Sequence, residues 1–169
     1  RYPADLSLLN EAREISEQLI DDLYKQSDYA RKPRTYRRIA RKKYLNLAKK
    51  KKPGRKVLRR GLREQLQYLQ MNLRHIDELI SNIGPLTFPL PHRQQRQYWI
   101  IQHVYRQQNE MYRNQEQRCD DRIVSIAQPH VRPIVRGKAG VAVEFGAKLS
   151  VSCFKGCVFL DELSWDNFN

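Results

Sequence analysis

Apolar positions fall into four helical stripes and then switch to a two-residue period. Leu8, Ala12, Ile15, Leu19 and Leu23 recur at steps of 4, 3, 4 and 4, which predicts an amphipathic helix over 6–24. Asp5 or Ser7 can cap its start, and Glu11 and Glu14 suit the positive end of its dipole. Pro33 marks a break. A second helix over 35–51 puts Tyr36, Ala40, Tyr44 and Leu47 on one face, and Lys52-Pro53-Gly54 ends it in a turn. Residues 56–83 carry a heptad seam: Leu62, Leu66, Leu69, Leu73, Ile76, Ile80 and Ile83. Gly84-Pro85 stops that helix, and the proline-rich stretch 84–91 acts as a rigid connector. A fourth helix, 92–115, shows Tyr98, Ile101, Tyr105, Gln108 and Tyr112 at the same period. Two helices of matching period across a short loop predict an antiparallel coiled-coil hairpin.

Beyond residue 120 the pattern reads as strands. Arg122–Ile126 is a short β-like run, and Pro129 and Pro133 bound an irregular stretch. Ala142–Cys153 and Cys157–Trp165 flank Phe154-Lys155-Gly156, a hairpin signature with glycine in the turn. The expected class is α+β, with a long antiparallel helical hairpin or bundle over 1–118 and a β-rich region over 119–169. Some 45 residues of strand are small for an independent domain, so the hairpin is expected to pair with strands outside this chain.

Charge sharpens the picture. The 169 residues carry 32 Lys+Arg against 18 Asp+Glu, a formal charge of +14. Residues 5–28 hold seven acids and two bases, whereas 31–63 hold seventeen bases and no acid. Like charges at i,i+4 destabilise a helix by about 0.2–0.5 kcal/mol each, so a solvated helix face normally interleaves signs. A run of one sign points to a polyanionic partner. The plain alternative is a solubilising surface or basic linker. A membrane surface fits less well because bulky apolar anchors are sparse, and no apolar run approaches the ~18 residues of a membrane span. Candidate phosphate contacts are Arg34, Arg37, Arg38, Arg41, Lys42, Lys49, Lys50, Arg55 and Arg59, with Arg132, Arg136 and Lys138 beside the glycines of the β-rich region.

Other chemistry is thin. Three cysteines do not make a disulfide framework and suit a reducing compartment. Cys153 and Cys157 have no second ligand pair for zinc and read as buried or half-buried strand residues. His75 and His103 read as ordinary helix residues. Asp120, Asp121, Asp161, Glu162 and Asp166 are of the right type for a two-metal site but read as turn and strand-end acids. No Walker loop or dinucleotide fingerprint is present.

Several stretches carry a resemblance. Arg1-Tyr2-Pro3-Ala4-Asp5-Leu6-Ser7-Leu8-Leu9-Asn10-Glu11-Ala12-Arg13-Glu14, Lys32-Pro33-Arg34-Thr35-Tyr36, Asp121–Lys138, Glu144–Ser150 and Leu163-Ser164-Trp165-Asp166 are, in this order, similar to segments of bacterial insertion-sequence transposases of the DDE, RNase H-like class. The resemblance implies that 56–115 is the helical insertion of that group and that the strands after 120 resume an RNase H-like sheet. It further implies that the three catalytic carboxylates lie outside residues 1–169. The chain then reads as an internal piece of a transposase. It would bind double-stranded DNA at transposon ends but hold no catalytic or metal-binding residue of its own. Mg²⁺ would serve the parent, which would work in the bacterial cytoplasm at the nucleoid. A non-enzymatic module that dimerises through the 62–83 seam, or a basic protein that binds RNA, is the alternative.

Overall fold

The computed structural model describes residues 5–84, 88–135 and 143–165. Four helices come first: α1 (Asp5–Tyr24), α2 (Arg37–Ala48), α3 (Arg55–Ile83) and α4 (His92–Asn114). Four strands follow: β1 (Arg132–Val135), β2 (Val143–Gly146), β3 (Lys148–Phe154) and β4 (Cys157–Ser164). The class is α+β. The chain divides between Cys119 and Asp120 into two compact units. No described helix is long and apolar enough to cross a membrane.

Helix α1 is the hub of the helical unit, touching α2, α3 and α4, while α2 and α4 share no close contact. Cross-helix bonds give the directions. Asn72 donates to the Ser16 hydroxyl at 2.9 Å, and Arg13 donates to Gln65 at 3.2 Å, so α1 and α3 run parallel. Gln108 reaches Asp5 and Gln94 reaches Asp22, at 2.9 and 2.8 Å, so α4 runs antiparallel to α1. Gln65 donates to the Ala40 carbonyl and Lys43 pairs with Glu64, which sets α2 antiparallel to α3. The four helices therefore alternate up and down. Leu9, Leu19, Ile20 and Leu23 of α1 are wholly buried between their neighbours.

The heptad seam of α3 is real, but its main partner is α1 rather than α4. Leu66, Leu69, Leu73 and Ile76 are buried as the period predicts. The buried face is wider than a two-in-seven seam, because α3 packs against three helices at once and draws in Gln65, Asn72 and Leu79. Leu62, Ile80 and Ile83 are only half-buried. The hairpin with α4 is formed and antiparallel, with the Tyr98 hydroxyl donating to Asp77 and Arg59 lying over the Tyr112 ring. The seam expected to join two copies is thus filled from within the chain.

Polar side chains bind the core as well. Arg13 is fully buried. Its guanidinium pairs with Glu17 and donates to Asn10 at 2.7 Å and Gln65 at 3.2 Å. Gln65 passes the connection on to the α2 backbone at Ala40. The crossing of α1, α2 and α3 is therefore fixed by hydrogen bonds with directional demands as well as by leucine packing.

In the second unit the predicted strand at Arg122–Ile126 is irregular backbone. Val124, Ile126 and Val131 are buried there, so the apolar alternation reflects burial without ladder pairing. The long run predicted over 142–153 is two strands. It breaks at Gly146, whose φ of 151° departs from strand values, and at Ala147. β2 pairs antiparallel with β1, and β3 with β4. The predicted hairpin turn is present: Lys155 and Gly156 have φ of 50° and 79°, the two left-handed residues of a type I′ turn. Between Ser150 and Val151 the register shifts, because Asp161 is an extra residue in β4. That bulge keeps Leu160, opposite Val151, and Leu163, opposite Leu149, on one face despite their odd spacing. The same face carries Val158, and all five side chains are exposed. Cys153 and Cys157 are exposed rather than buried, and they sit on opposite faces because they occupy neighbouring rungs of the ladder.

Candidate nucleic-acid interface

The basic run becomes the segment before α2, the whole of α2, the loop after it and the first nine residues of α3. Only Ala40 and Leu47 of α2 are buried. At 3.6 residues per turn, Arg38, Arg41, Lys42, Leu45 and Lys49 then fall on the opposite side, and all five are exposed. Gly61 permits the close seat of α2 on α3, since a Cβ there would stand 2.2 Å from Leu47 Cδ2. Lys50 and Arg55 are exposed at either end of the connecting loop, and Arg34 is exposed before α2. Arg34 lays its guanidinium 4.6 Å from the centre of the Tyr36 ring. Tyr36 itself takes a left-handed φ of 52° at the N-cap of α2, a conformation that is uncommon for a bulky residue.

Acids of α1 neutralise only the root of this arm. Arg37 donates to both Asp21 carboxylate oxygens at 2.8 and 2.9 Å and sits 3.8 Å from Glu17, and Lys32 also pairs with Asp21. Burial pushes the Asp21 carboxyl up, but the hydrogen bonds from Lys32 and Arg37 outweigh it and hold it below the usual aspartate range. Burial wins at Glu17, whose carboxyl stays above its ordinary value despite Arg13 and Arg37. Lys43 is turned back onto Glu64 at 3.3 Å and over Tyr68. Among the described residues Arg38, Arg41, Lys42, Lys49, Lys50 and Arg55 have no carboxylate partner.

Placement of those cations runs against local helix stability. Neither α2 nor α3 has an acid in its first turn, and Arg37, Arg38, Arg55 and Lys56 stand there instead. A cation near a helix N-terminus is disfavoured by roughly 0.3–1 kcal/mol where an anion would be favoured.

The expected contacts do not all gather. Arg37 and Arg59 are already engaged, the latter with its guanidinium 4.5 Å from the Tyr112 ring centre. Arg132 belongs to the other unit, donates to the Pro129 carbonyl and lies 3.8 Å from Asp121. Arg136 and Lys138 lie outside the described residues. Lys51, Lys52 and Lys56, members of the same basic run, are exposed beside the arm and extend it.

Of the five candidate metal-binding acids, Asp166 lies outside the described residues. Asp161 accepts from the Ser152 hydroxyl at 2.9 Å, Asp121 faces Arg132, and no cluster of three His, Cys, Asp or Glu forms among the described residues. No protein-family model, curated protein or solved structure matches the chain.

Proposed function

We propose that the helical unit grips double-stranded DNA by its phosphates through the outer face of α2 and the start of α3, as the basic DNA-contacting surface of a DDE transposase fragment. One observation carries the reading: a cationic face without carboxylate partners, set next to an acidic helix that neutralises only its base. In the parent protein, cleavage and strand transfer would be metal-dependent phosphoryl transfer by carboxylates outside residues 1–169, so this chain alone neither nicks nor joins DNA. Its setting would be the bacterial nucleoid. Support for the RNase H-like part comes from the antiparallel hairpin β3–β4, whose apolar face of Leu149, Val151, Val158, Leu160 and Leu163 is exposed, as in a strand pair that lacks the layer packed on its sheet.

Phosphate gripping has a quantitative signature. Six to ten contacts lower affinity by about 10³–10⁵ between 50 and 200 mM salt, at a log–log slope of about −0.9 per phosphate. The test is fluorescence anisotropy on unrelated duplexes across that salt range, with the Arg38→Gln/Arg41→Gln/Lys42→Gln variant in parallel. The expected result is similar affinity for all sequences and a slope shallower by about three in the variant. No duplex binding at low salt, or an unchanged slope, refutes the assignment.

A further inference from the structure

Helix α4 carries a second exposed stripe on the side away from α1 and α3. His92, Arg96, Trp99, His103 and Arg106 recur at steps of 4, 3, 4 and 3 and are all exposed, whereas Ile101, Val104 and Gln108 on the other side are buried. At about 1.5 Å per residue the stripe is about 21 Å long. Trp99 is its centre and remains 48 % exposed, an unusual state for the largest side chain in a unit with a well-filled core.

The indole is also backed. Phe88, which precedes α4, stacks on it with ring centroids 6.2 Å apart and planes at 27°. Tyr98 closes the cluster at 5.3 Å from Trp99 and is anchored through its hydroxyl to Asp77 on α3. Burial and that carboxylate hold the Tyr98 phenol well above its ordinary range, so it stays a hydrogen-bond donor and keeps α4 in place. One π-face of the platform is thus supported, and about half the tryptophan surface is left open.

Surroundings of the platform select its ligand. Arg96 stands one turn before Trp99 on the stripe and His103 one turn after, and Arg93, Arg96 and Arg106 have no carboxylate partner among the described residues. The stripe meets its only acid at Glu110, beyond Arg106. A planar aromatic shelf between cations matches an unpaired nucleobase with a phosphate on either side. A base inside a duplex has both faces covered by its neighbours, so this shelf does not suit intact duplex. An acidic peptide would meet the charge but leave the shelf unused.

We infer that the outer stripe of α4 binds single-stranded nucleic acid, with Trp99 stacking on one unpaired base and Arg96 and Arg106 holding the flanking phosphates. This goes beyond the duplex reading for α2 and does not depend on it. The site needs unpaired bases on a polyanionic backbone, which single-stranded DNA and RNA both supply.

The experiment uses the full chain carrying Trp165→Phe, so that Trp99 is the only fluorophore of its kind. Oligo(dT) and oligo(U) of about 12 nucleotides and a blunt duplex of equal length are titrated at low salt. Quenching of Trp99 is expected with at least one oligonucleotide, and little with the duplex. Whichever oligonucleotide quenches more identifies the natural source. In anisotropy, Trp99→Ala should weaken single-strand binding by about 5–150-fold, the equivalent of one stacked base, and leave duplex binding alone. Trp99→Phe should recover part of the loss, which a folding defect would not allow. The triple α2 variant should lose duplex affinity and keep the quench. Absence of quenching by both oligonucleotides, equal quenching by the duplex, or unchanged single-strand affinity of Trp99→Ala overturns the inference. Each of those results leaves the α2 reading standing.

Discussion

Replacing Arg13 with methionine tests whether the helical unit is held by its buried ion pair as strongly as by its leucines. Arg13 is 0 % exposed and Glu17 6 %. The substitution keeps the aliphatic length of the side chain but removes every donor. Glu17 is left buried with only Arg37 at 3.8 Å, and Asn10 and Gln65 lose a donor at 2.7 and 3.2 Å. Removing one partner of a buried pair costs about 3–5 kcal/mol, a large part of the roughly 5–15 kcal/mol that holds a domain together. With a urea m-value of about 1.5 kcal/mol/M, the midpoint should fall by roughly 2–3 M while m stays the same. The companion variant Arg13→Met/Glu17→Leu removes the stranded charge and should return to within about 1 kcal/mol of the parent, because a well-packed apolar pair often equals a buried ionic one. Urea melts followed by far-UV circular dichroism read both. A single variant within about 1 kcal/mol of the parent, or a double variant no better than the single, refutes the account.

Two further outcomes follow from the seat of α2. Gly61→Ala brings a Cβ within 2.2 Å of Leu47 Cδ2, and the overpacking, about 1–3 kcal/mol, should exceed the ~1 kcal/mol gained in helix propensity. Faster amide exchange confined to α2 is expected, and a stabilised variant would show that the contact is slack. Folding lowers the Asp21 pKa, so the carboxylate adds stability above the ordinary aspartate value near pH 4, and that contribution is lost as the pH falls below it. Glu17 is shifted the other way and has the opposite sign, favouring the folded state as it protonates. Thermal melts of Asp21→Asn from about pH 6 to pH 3 should therefore show a shallower acid-side loss than the parent. An identical slope would mean that the Lys32 and Arg37 bonds do not persist in solution.

The helices were legible because each carries a strong single-period stripe and a proline or glycine at its boundary. α1, α3 and α4 begin and end within two residues of expectation. The partner of the α3 seam was not legible. A heptad pattern states which face is apolar, and α1, whose stripe has much the same period, competes for it as well as α4 does. Arg13 hid for a related reason: an arginine in an acidic helix reads as surface charge until the partners brought by α3 are in place. The Arg122–Ile126 run failed as a strand because its alternation records burial of Val124 and Ile126 and nothing in sequence specifies a ladder. The extent of the basic arm was plain from the charge run. Its division into neutralised cations (Arg37, Lys32, Lys43) and free ones depended on helix packing. Trp99 went unmarked because its neighbours on the stripe are assembled at heptad spacing from residues that look ordinary one at a time.

Asp161 shows how one inserted residue can act as a phase corrector. Upstream and downstream halves of β4 are out of step by one position, and the bulge absorbs the slip so that both halves turn their greasy side chains the same way. Deleting that single aspartate would close the ladder into strict alternation with Glu162 still opposite Ser150 and Leu163 still opposite Leu149, so the apolar face would survive its loss. The hairpin therefore takes up one residue of extra length at this rung without turning its apolar side chains over.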